Sequence, residues 1–432
     1  MARILVVKPL FPYPPHQGTR RVSLGLLGDL AAAHEVVYLC QREQRDEERW
    51  IPEIERLGVR VVAPLMPNHL SPAHKAAYKA KNRLLSQLTG TPELALYWSN
   101  AVLRGSLARL GREFRPALTI IENWELYRLR RSIGRGLAAL LAHDAAFQIL
   151  ARAAAADSDE RSKARRLQRL AREKRLEVAA WRLYDAVLTL TESDRETVLE
   201  ELREAARDDR GLSAGARAHA AALPLVQHLP VPVAEEFFAF ERPAAARWRI
   251  GFLGTFRADF NRDALGYLLR EIWPAVHQAL PQAELIVAGN GYAGELRAQA
   301  EAAGARWLGF VADLRRFYER IDLLAVPLRF GGGVRIRILE ALAAGVPVVA
   351  TPIAAAGLGV SGGRQLLLAA GAGELVQATI GLLKDQELAA ELGRAGRAWC
   401  AEHHGVQILR PRRLAAIQAI LDLAGRAADR SR

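Results

Sequence analysis

Short apolar runs alternate with stretches of helical periodicity through this 432-residue chain, break off at a proline-punctuated connector, and then begin again. In the first half the runs are Ile4–Val7, Glu35–Leu39, Val59–Ala63, Leu118–Ile121, Ala138–Leu141 and Val187–Leu190. Helical patterns cover Thr19–Ala33, Pro92–Phe114 and Ala146–Tyr184. The connector runs from Leu229 to Phe238 and holds Pro230 and Pro232. Beyond it, strands are expected at Arg249–Leu253, Ala283–Ala288, Ala305–Gly309 and Leu323–Pro327, with helices over Asp263–Ala279, Gly294–Ala303 and Leu314–Arg320. Apolar strands joined by helices pack as a parallel sheet covered on its faces. The chain is therefore expected to be α/β, with two doubly wound domains at 1–228 and 229–405. A last helix, within 406–432, is expected to return to the first domain.

Open parallel sheets bind ligands at the carboxyl ends of their strands. Three strands of the second half run into glycine-bearing turns there: Gly251/Gly254, Gly289/Gly291 and Gly331–Gly333. The third is the most informative. It lies in Pro327-Leu-Arg-Phe-Gly-Gly-Gly-Val-Arg-Ile-Arg-Ile-Leu-Glu-Ala-Leu-Ala-Ala-Gly-Val-Pro-Val-Val-Ala-Thr351, a strand, a glycine triplet, a helix and a further strand. Glycines let backbone N–H groups approach an anion, and a helix N-terminus favours negative charge. Arg335 and Arg337 add cations, and the Glu340 carboxylate can accept hydrogen bonds from hydroxyls. A diphosphate joined to a polyhydroxylated group suits that combination. Two positions apart on a helix, the arginines are expected to face different ways, with Arg337 toward the phosphate.

The formal charge of +13, from 60 Lys and Arg against 47 Asp and Glu, suits anionic partners, and arginine-rich composition explains it equally well. Basic residues spread over both halves with little aromatic interleaving argue against nucleic acid. Two clusters stand out. Arg161–Arg175 reads as a solvated helix face or a membrane- or acceptor-binding surface. His74–Leu88, with Lys75, Lys79, Lys81 and Arg83, could lie on an anionic membrane. Cys40 and Cys400 are the only cysteines, which supports neither a disulfide framework nor a cysteine metal site. The start of the chain reads as a first strand without a secretory leader. The charge-free span Ala341–Val360 contains Pro347 and Pro352 and reads as buried helix, strand and loop.

The pattern resembles the family 4 retaining glycosyltransferases, which have the GT-B fold of two facing Rossmann-like domains. The resemblance rests on the Pro327–Thr351 segment, Gly254-Thr-Phe with Asn261, Val287-Ala-Gly-Asn-Gly291, Leu308-Gly-Phe-Val-Ala-Asp313, Tyr184–Ser193, Pro12-Tyr-Pro-Pro-His-Gln-Gly18 and His143-Asp144. It implies transfer of a sugar from a nucleoside-diphosphate sugar, UDP or GDP, to a glycan, lipid-linked or small-molecule acceptor. No cofactor or metal is expected, since no Asp-X-Asp pair follows a strand, and the cysteine usage fits a cytoplasmic site of action, with the basic helices offering a peripheral contact to the inner membrane face. Glu340 matches the carboxylate that holds the ribose, Arg337 a cation near the diphosphate, and His143 a residue near the anomeric centre. The donor wall would be Gly254, Thr255, Asn261, Gly289, Gly331, Gly332, Gly333, Val334, Arg335 and Leu358, with Gly18 and Asp144 on the acceptor side. A satisfied core histidine is the alternative for His143, and a helix cap for Asp144.

Two features, at three positions, depart from the commoner pattern. Gly332 stands where many members have a second glutamate, and Thr255 and Phe260 stand where an arginine and a lysine are usual. A subset with the glycine triplet and an asparagine such as Asn261 matches better. An epimerase of the same fold and a non-catalytic nucleotide-sugar binder are the alternatives. An NAD-binding enzyme is disfavoured, because no Gly-X-Gly-X-X-Gly follows the first strand.

Overall fold

A computed structural model describes residues 1–15, 18–67, 71–134, 136–155, 159–210, 223–239, 248–291 and 294–430. Positions 16 and 17 of the Pro12–Gly18 loop thus lie outside the described residues.

The first sheet has seven strands: β1 (Arg3–Val7), β2 (Glu35–Leu39), β3 (Arg60–Val62), β4 (Leu118–Glu122), β5 (Leu137–Ala142), β6 (Ala186–Thr189) and β7 (Leu225–His228). Their spatial order is β3-β2-β1-β4-β5-β6-β7, and every pairing is parallel. The second sheet holds β8 (Arg249–Thr255), β9 (Glu284–Asn290), β10 (Arg306–Gly309), β11 (Leu323–Val326), β12 (Val348–Ala350) and β13 (Leu367–Leu368). Its order is β10-β9-β8-β11-β12-β13, again parallel throughout. Helices on both faces bury the strands, so β4 and β6 have no exposed residue. In each sheet the chain reverses direction across one strand pair, β1/β4 and β8/β11. Those switch points are where open α/β sheets form ligand crevices.

Three expected helices differ in detail. The Pro92–Phe114 pattern is two helices, Glu93–Trp98 and Ala101–Glu113, because the Asn100 side chain accepts the Leu103 N–H and starts a new helix. Ala146–Tyr184 likewise splits into Ala146–Ala155 and Glu160–Trp181, the second capped by Asp159. The third begins at Asp259, ahead of the expected Asp263, and carries a π-turn at Leu268–Ile272. There the Trp273 N–H donates to the Leu268 carbonyl, a wider register that accommodates Pro274, which has no N–H. The short strands β7 and β13 carried no sequence signal.

The connector joins the domains through Leu229, Val231 and Val233, all buried. The final helix, Val406–Arg430, lies on the first domain: Ala416, Ile417 and Ile420 enter its core, and Arg410 and Arg413 both pair with buried Asp29. No described helix is long and apolar enough to cross a membrane, and Ala341–Val360 is helix, strand and loop.

Candidate functional site

The carboxyl ends of the two sheets face each other across a cavity of about 540 Å³. Its second-domain wall is built largely from backbone. Gly289, at φ 155°, approaches the Gly254 carbonyl so closely that an added Cβ would stand 1.8 Å from that oxygen. Beside them Gly254 lies against Arg337, where a Cβ would meet Nη1 at 3.2 Å. Gly331 (φ 133°) and Gly333 (φ 72°) give the triplet loop a path that other L-residues rarely adopt.

That path ends at the helix Ile336–Ala343, whose first turn points into the cavity. Arg335 precedes the helix, with φ −85° and ψ 76°, so helical spacing does not separate it from Arg337. Both arginines line the cavity, which corrects the expectation that they face different ways. Arg337 donates through Nη1 to the Leu253 carbonyl and, at 2.9 Å, to Asn261 Oδ1. Its Nε and Nη2 are buried and have no partner among the described residues. Arg335 uses Nη1 on the Gly332 and Gly333 carbonyls, lies over the Phe260 ring at 5.3 Å, and leaves its buried Nε unpartnered. Burial lowers both guanidinium pKa values, Arg335 to about 10 and Arg337 to about 9, the latter helped by Arg335 itself. Two adjacent buried cations with N–H groups unpartnered among the described residues have the chemistry to hold an anion.

Glu340, a turn further along, is 2 % exposed. One carboxylate oxygen pairs with Arg21 of the first domain and the other is 3.2 Å from the Tyr318 hydroxyl. Asn261 donates to the Thr255 carbonyl at 2.9 Å while receiving Arg337, so it fixes that guanidinium. Arg257 lines the cavity. Arg262 instead pairs with Asp259 and the Phe256 carbonyl and is not part of the wall.

The first-domain wall comes from strand ends and from the first turn of one helix. Gly18 opens the helix Gly18–Ala31 and packs on Ile336, where a Cβ would come 3.3 Å from Cδ1. Two helix N-termini therefore converge on the cavity, and both favour negative charge. His143 follows β5, and its Nε2 is 3.1 Å from Glu122 Oε2. Glu122 ends β4 and is paired with Lys8, 2.8 Å away, and Ser23, 2.6 Å away. Burial alone would raise the Glu122 pKa; Lys8 and the His143 N–H reverse that and bring it to about 2. Burial lowers the His143 pKa.

Asp144 also lines the cavity, its pKa raised to about 6 by burial and then by Asp194, against the pull of Arg335. It does not cap the next helix. The Glu177 carboxylate does so, accepting the Ala146 and Phe147 N–H groups at 3.0 Å each.

Of the residues singled out from sequence, thirteen line this one cavity: Gly18, His143, Asp144, Gly254, Thr255, Asn261, Gly289, Gly332, Gly333, Val334, Arg335, Arg337 and Glu340. Gly331 lies behind the wall, its carbonyl held by Arg152 at 2.9 Å. Leu358 is buried in the second core and does not line the cavity. At Gly332, where the resemblance placed a glutamate, an added Cβ would come 2.4 Å from Ile149 of the first domain, so this closed arrangement leaves no room for a side chain. Lys8, Arg21, Ser23 and Glu122 were missed. The available signal was a charged residue ending each of two buried strands, at Lys8 and Glu122.

The fold is GT-B. Over 97 % of this chain and all of the other it matches Anabaena HepE in complex with UDP and glucose, with a TM-score of 0.65 and 16 % identity. Sucrose-phosphate synthase from Thermosynechococcus elongatus matches over 98 % of this chain and all of its own, at TM-score 0.68 and 14 % identity. The trehalose 6-phosphate synthase of Burkholderia multivorans matches over 99 % and 100 %, at TM-score 0.61 and 13 % identity. Within that fold, residues 247–385, most of the second domain, match the family model described as Glycosyl transferases group 1. A curated relative, the phosphatidyl-myo-inositol mannosyltransferase of Mycobacterium tuberculosis, is 37 % identical over 106 residues. That match spans 24 % of this chain and 27 % of the relative, so it reaches about a quarter of the relative's length.

Proposed function

We propose that this chain is a glycosyltransferase that takes a nucleoside-diphosphate sugar as donor and transfers the sugar to an acceptor hydroxyl with retention of configuration. The observation that carries the reading is the pair of buried arginines, Arg335 and Arg337, with unused N–H groups beside a glycine-built helix N-terminus. The match of the second domain to group 1 glycosyltransferases, and the UDP held by the Anabaena protein of the same fold, support it. In this reading the diphosphate lies against Arg337 and Arg335, and Glu340 exchanges Arg21 for the ribose hydroxyls. The sugar extends toward His143. As the bond from the anomeric carbon to the phosphate oxygen breaks, the acceptor oxygen bonds to that carbon on the same face. The acceptor's proton passes to the departing phosphate, so no separate protein base is needed. The guanidinium groups and helix N-termini stabilise the charge that builds on the leaving group, the role a metal plays elsewhere.

The test is transfer itself, from UDP- and GDP-sugars to a panel of glycan and lipid acceptors, read by mass spectrometry of the product and by NMR of its anomeric configuration. A product of retained configuration supports the reading. Isomerised donor without acceptor would favour an epimerase, and nucleotide binding with neither reaction would favour a non-catalytic binder.

For the acceptor we propose a substrate at a membrane surface. The helix Pro72–Thr89 contains no acidic residue, and Leu84 and Leu88 on it are 56 % and 73 % exposed. The basic helix Glu160–Trp181 joins it where Arg172 donates to the Gly90 carbonyl. Reversing Lys75, Lys79, Lys81 and Arg83 to glutamate should abolish co-sedimentation with anionic vesicles; unchanged sedimentation would remove this proposal.

A further inference from the structure

We propose that Glu122 is a positioning residue that fixes the tautomer of His143 and leaves Nδ1 as a hydrogen-bond acceptor, so that the first-domain wall takes a neutral sugar hydroxyl and disfavours a carboxylate. The proposal deepens the glycosyltransferase reading and rests on it for the identity of the sugar.

Strands β1, β4 and β5 are neighbours in one parallel sheet, so Lys8, Glu122 and His143 stand side by side at their carboxyl ends. All three are buried, with Glu122 at 0 % exposure and His143 at 7 %. The Lys8 ammonium has three N–H groups and three acceptors: the Thr19 carbonyl at 3.2 Å, Ser23 Oγ at 2.6 Å and Glu122 Oε2 at 2.8 Å. A satisfied cation beside it lets Glu122 stay ionised out of water. An ionised carboxylate only accepts, so the proton shared with His143 belongs to Nε2.

Neutral imidazole carries one N–H, and its other nitrogen then bears the lone pair. That nitrogen, Nδ1, is buried and has no partner among the described residues, while the ring lines the cavity. The charged groups acting on the ring are Lys8, which follows β1, and Glu122, which ends β4, and the Gly333 backbone of the second domain lies against the His143 carbonyl. Burial favours the neutral ring, as does the Lys8 charge, against the opposing pull of Glu122. A buried acceptor left unpaired is costly, and a ligand O–H relieves that cost. A carboxylate at the same place has no proton to give.

The test uses the full-length, ¹⁵N-labelled protein. Long-range ¹H–¹⁵N imidazole correlations, assigned by their loss in His143→Asn, should show Nδ1 unprotonated and Nε2 protonated at pH 7.5. A proton on Nδ1 overturns the proposal, and this measurement needs no variant to fold. In Lys8→Met/Glu122→Leu, which removes the buried pair as a unit, the tautomers should mix. There kcat should fall at least tenfold, with nucleoside diphosphate affinity unchanged within twofold. A folded double variant with wild-type kcat also overturns it. Among donors with one nucleotide, a neutral hexosyl donor should bind at least tenfold tighter than the corresponding uronic acid donor, and equal or reversed affinity counts against the proposal. The expected tautomer in a protein that transfers no sugar would sink the glycosyltransferase reading alone.

Discussion

The two walls of the cavity are built by different means. The second-domain wall is mostly main chain: Gly254, Gly289, Gly332 and Gly333 line it, Gly331 sets the path of the loop behind them, and two arginines donate to carbonyls of that frame. Behind the first-domain wall is a side-chain network in which Lys8, Glu122 and His143, at the ends of three strands, and Ser23, on the helix Gly18–Ala31, hold one another, with His143 the member that lines the cavity. A backbone-built wall tolerates almost no substitution at its glycines but needs few partners. A network built from side chains depends on every member, because a buried charge that loses its partner is strongly unfavourable.

That contrast can be broken at its strongest point first. Gly289→Ala forces a Cβ onto the Gly254 carbonyl and should cost about 3 kcal/mol or more of stability, read as a shift in the denaturant midpoint. A variant within about 0.5 kcal/mol of the parent would show that the wall can relax. Next, Glu340→Ala should lower kcat/KM by about tenfold or more in the transfer assay, since among the described residues no other carboxylate of the second-domain wall lines the cavity. Unchanged turnover would remove Glu340 from the donor site.

The smallest effect expected is electrostatic and belongs to the seam between the walls. Asp144 is ionised above about pH 6 and then lies near Arg335, competing with a diphosphate for that cation. As pH falls through 6 the carboxyl takes up a proton and the competition ends. Binding of an intact sugar nucleotide should therefore tighten by about threefold between pH 7 and pH 5.5, measured by calorimetry without acceptor. Asp144→Asn should bind at the tighter level throughout, and a retained pH dependence in that variant would point to another group.

The same contrast explains what was legible in the sequence. The second wall was readable because its parts are contiguous: strand, glycine triplet, arginines and Glu340 fall within one segment, and each glycine meets a steric demand of the main chain. The network behind the first wall joins residues 8, 122 and 143, which the β1-β4-β5 order brings together, with Ser23 of the helix Gly18–Ala31. His143 and Asp144 were recognised from a local pair, but their partners were not. The different-faces expectation for Arg335 and Arg337 failed because the helix begins one residue later, at Ile336. The strand–helix alternation gave most strands of both sheets; it missed the short β7 and β13, and two of its helices were broken by a single capping side chain, Asn100 or Asp159.

The central claim is that a nucleoside diphosphate is held by the buried guanidinium of Arg337. Calorimetric titration of UDP and GDP into the parent protein, Arg337→Ala and Arg262→Ala tests it directly. One nucleotide should bind the parent and Arg262→Ala equally, because Arg262 is tied to Asp259 outside the wall, and bind Arg337→Ala at least about tenfold more weakly. Equal affinity for all three proteins would contradict the account.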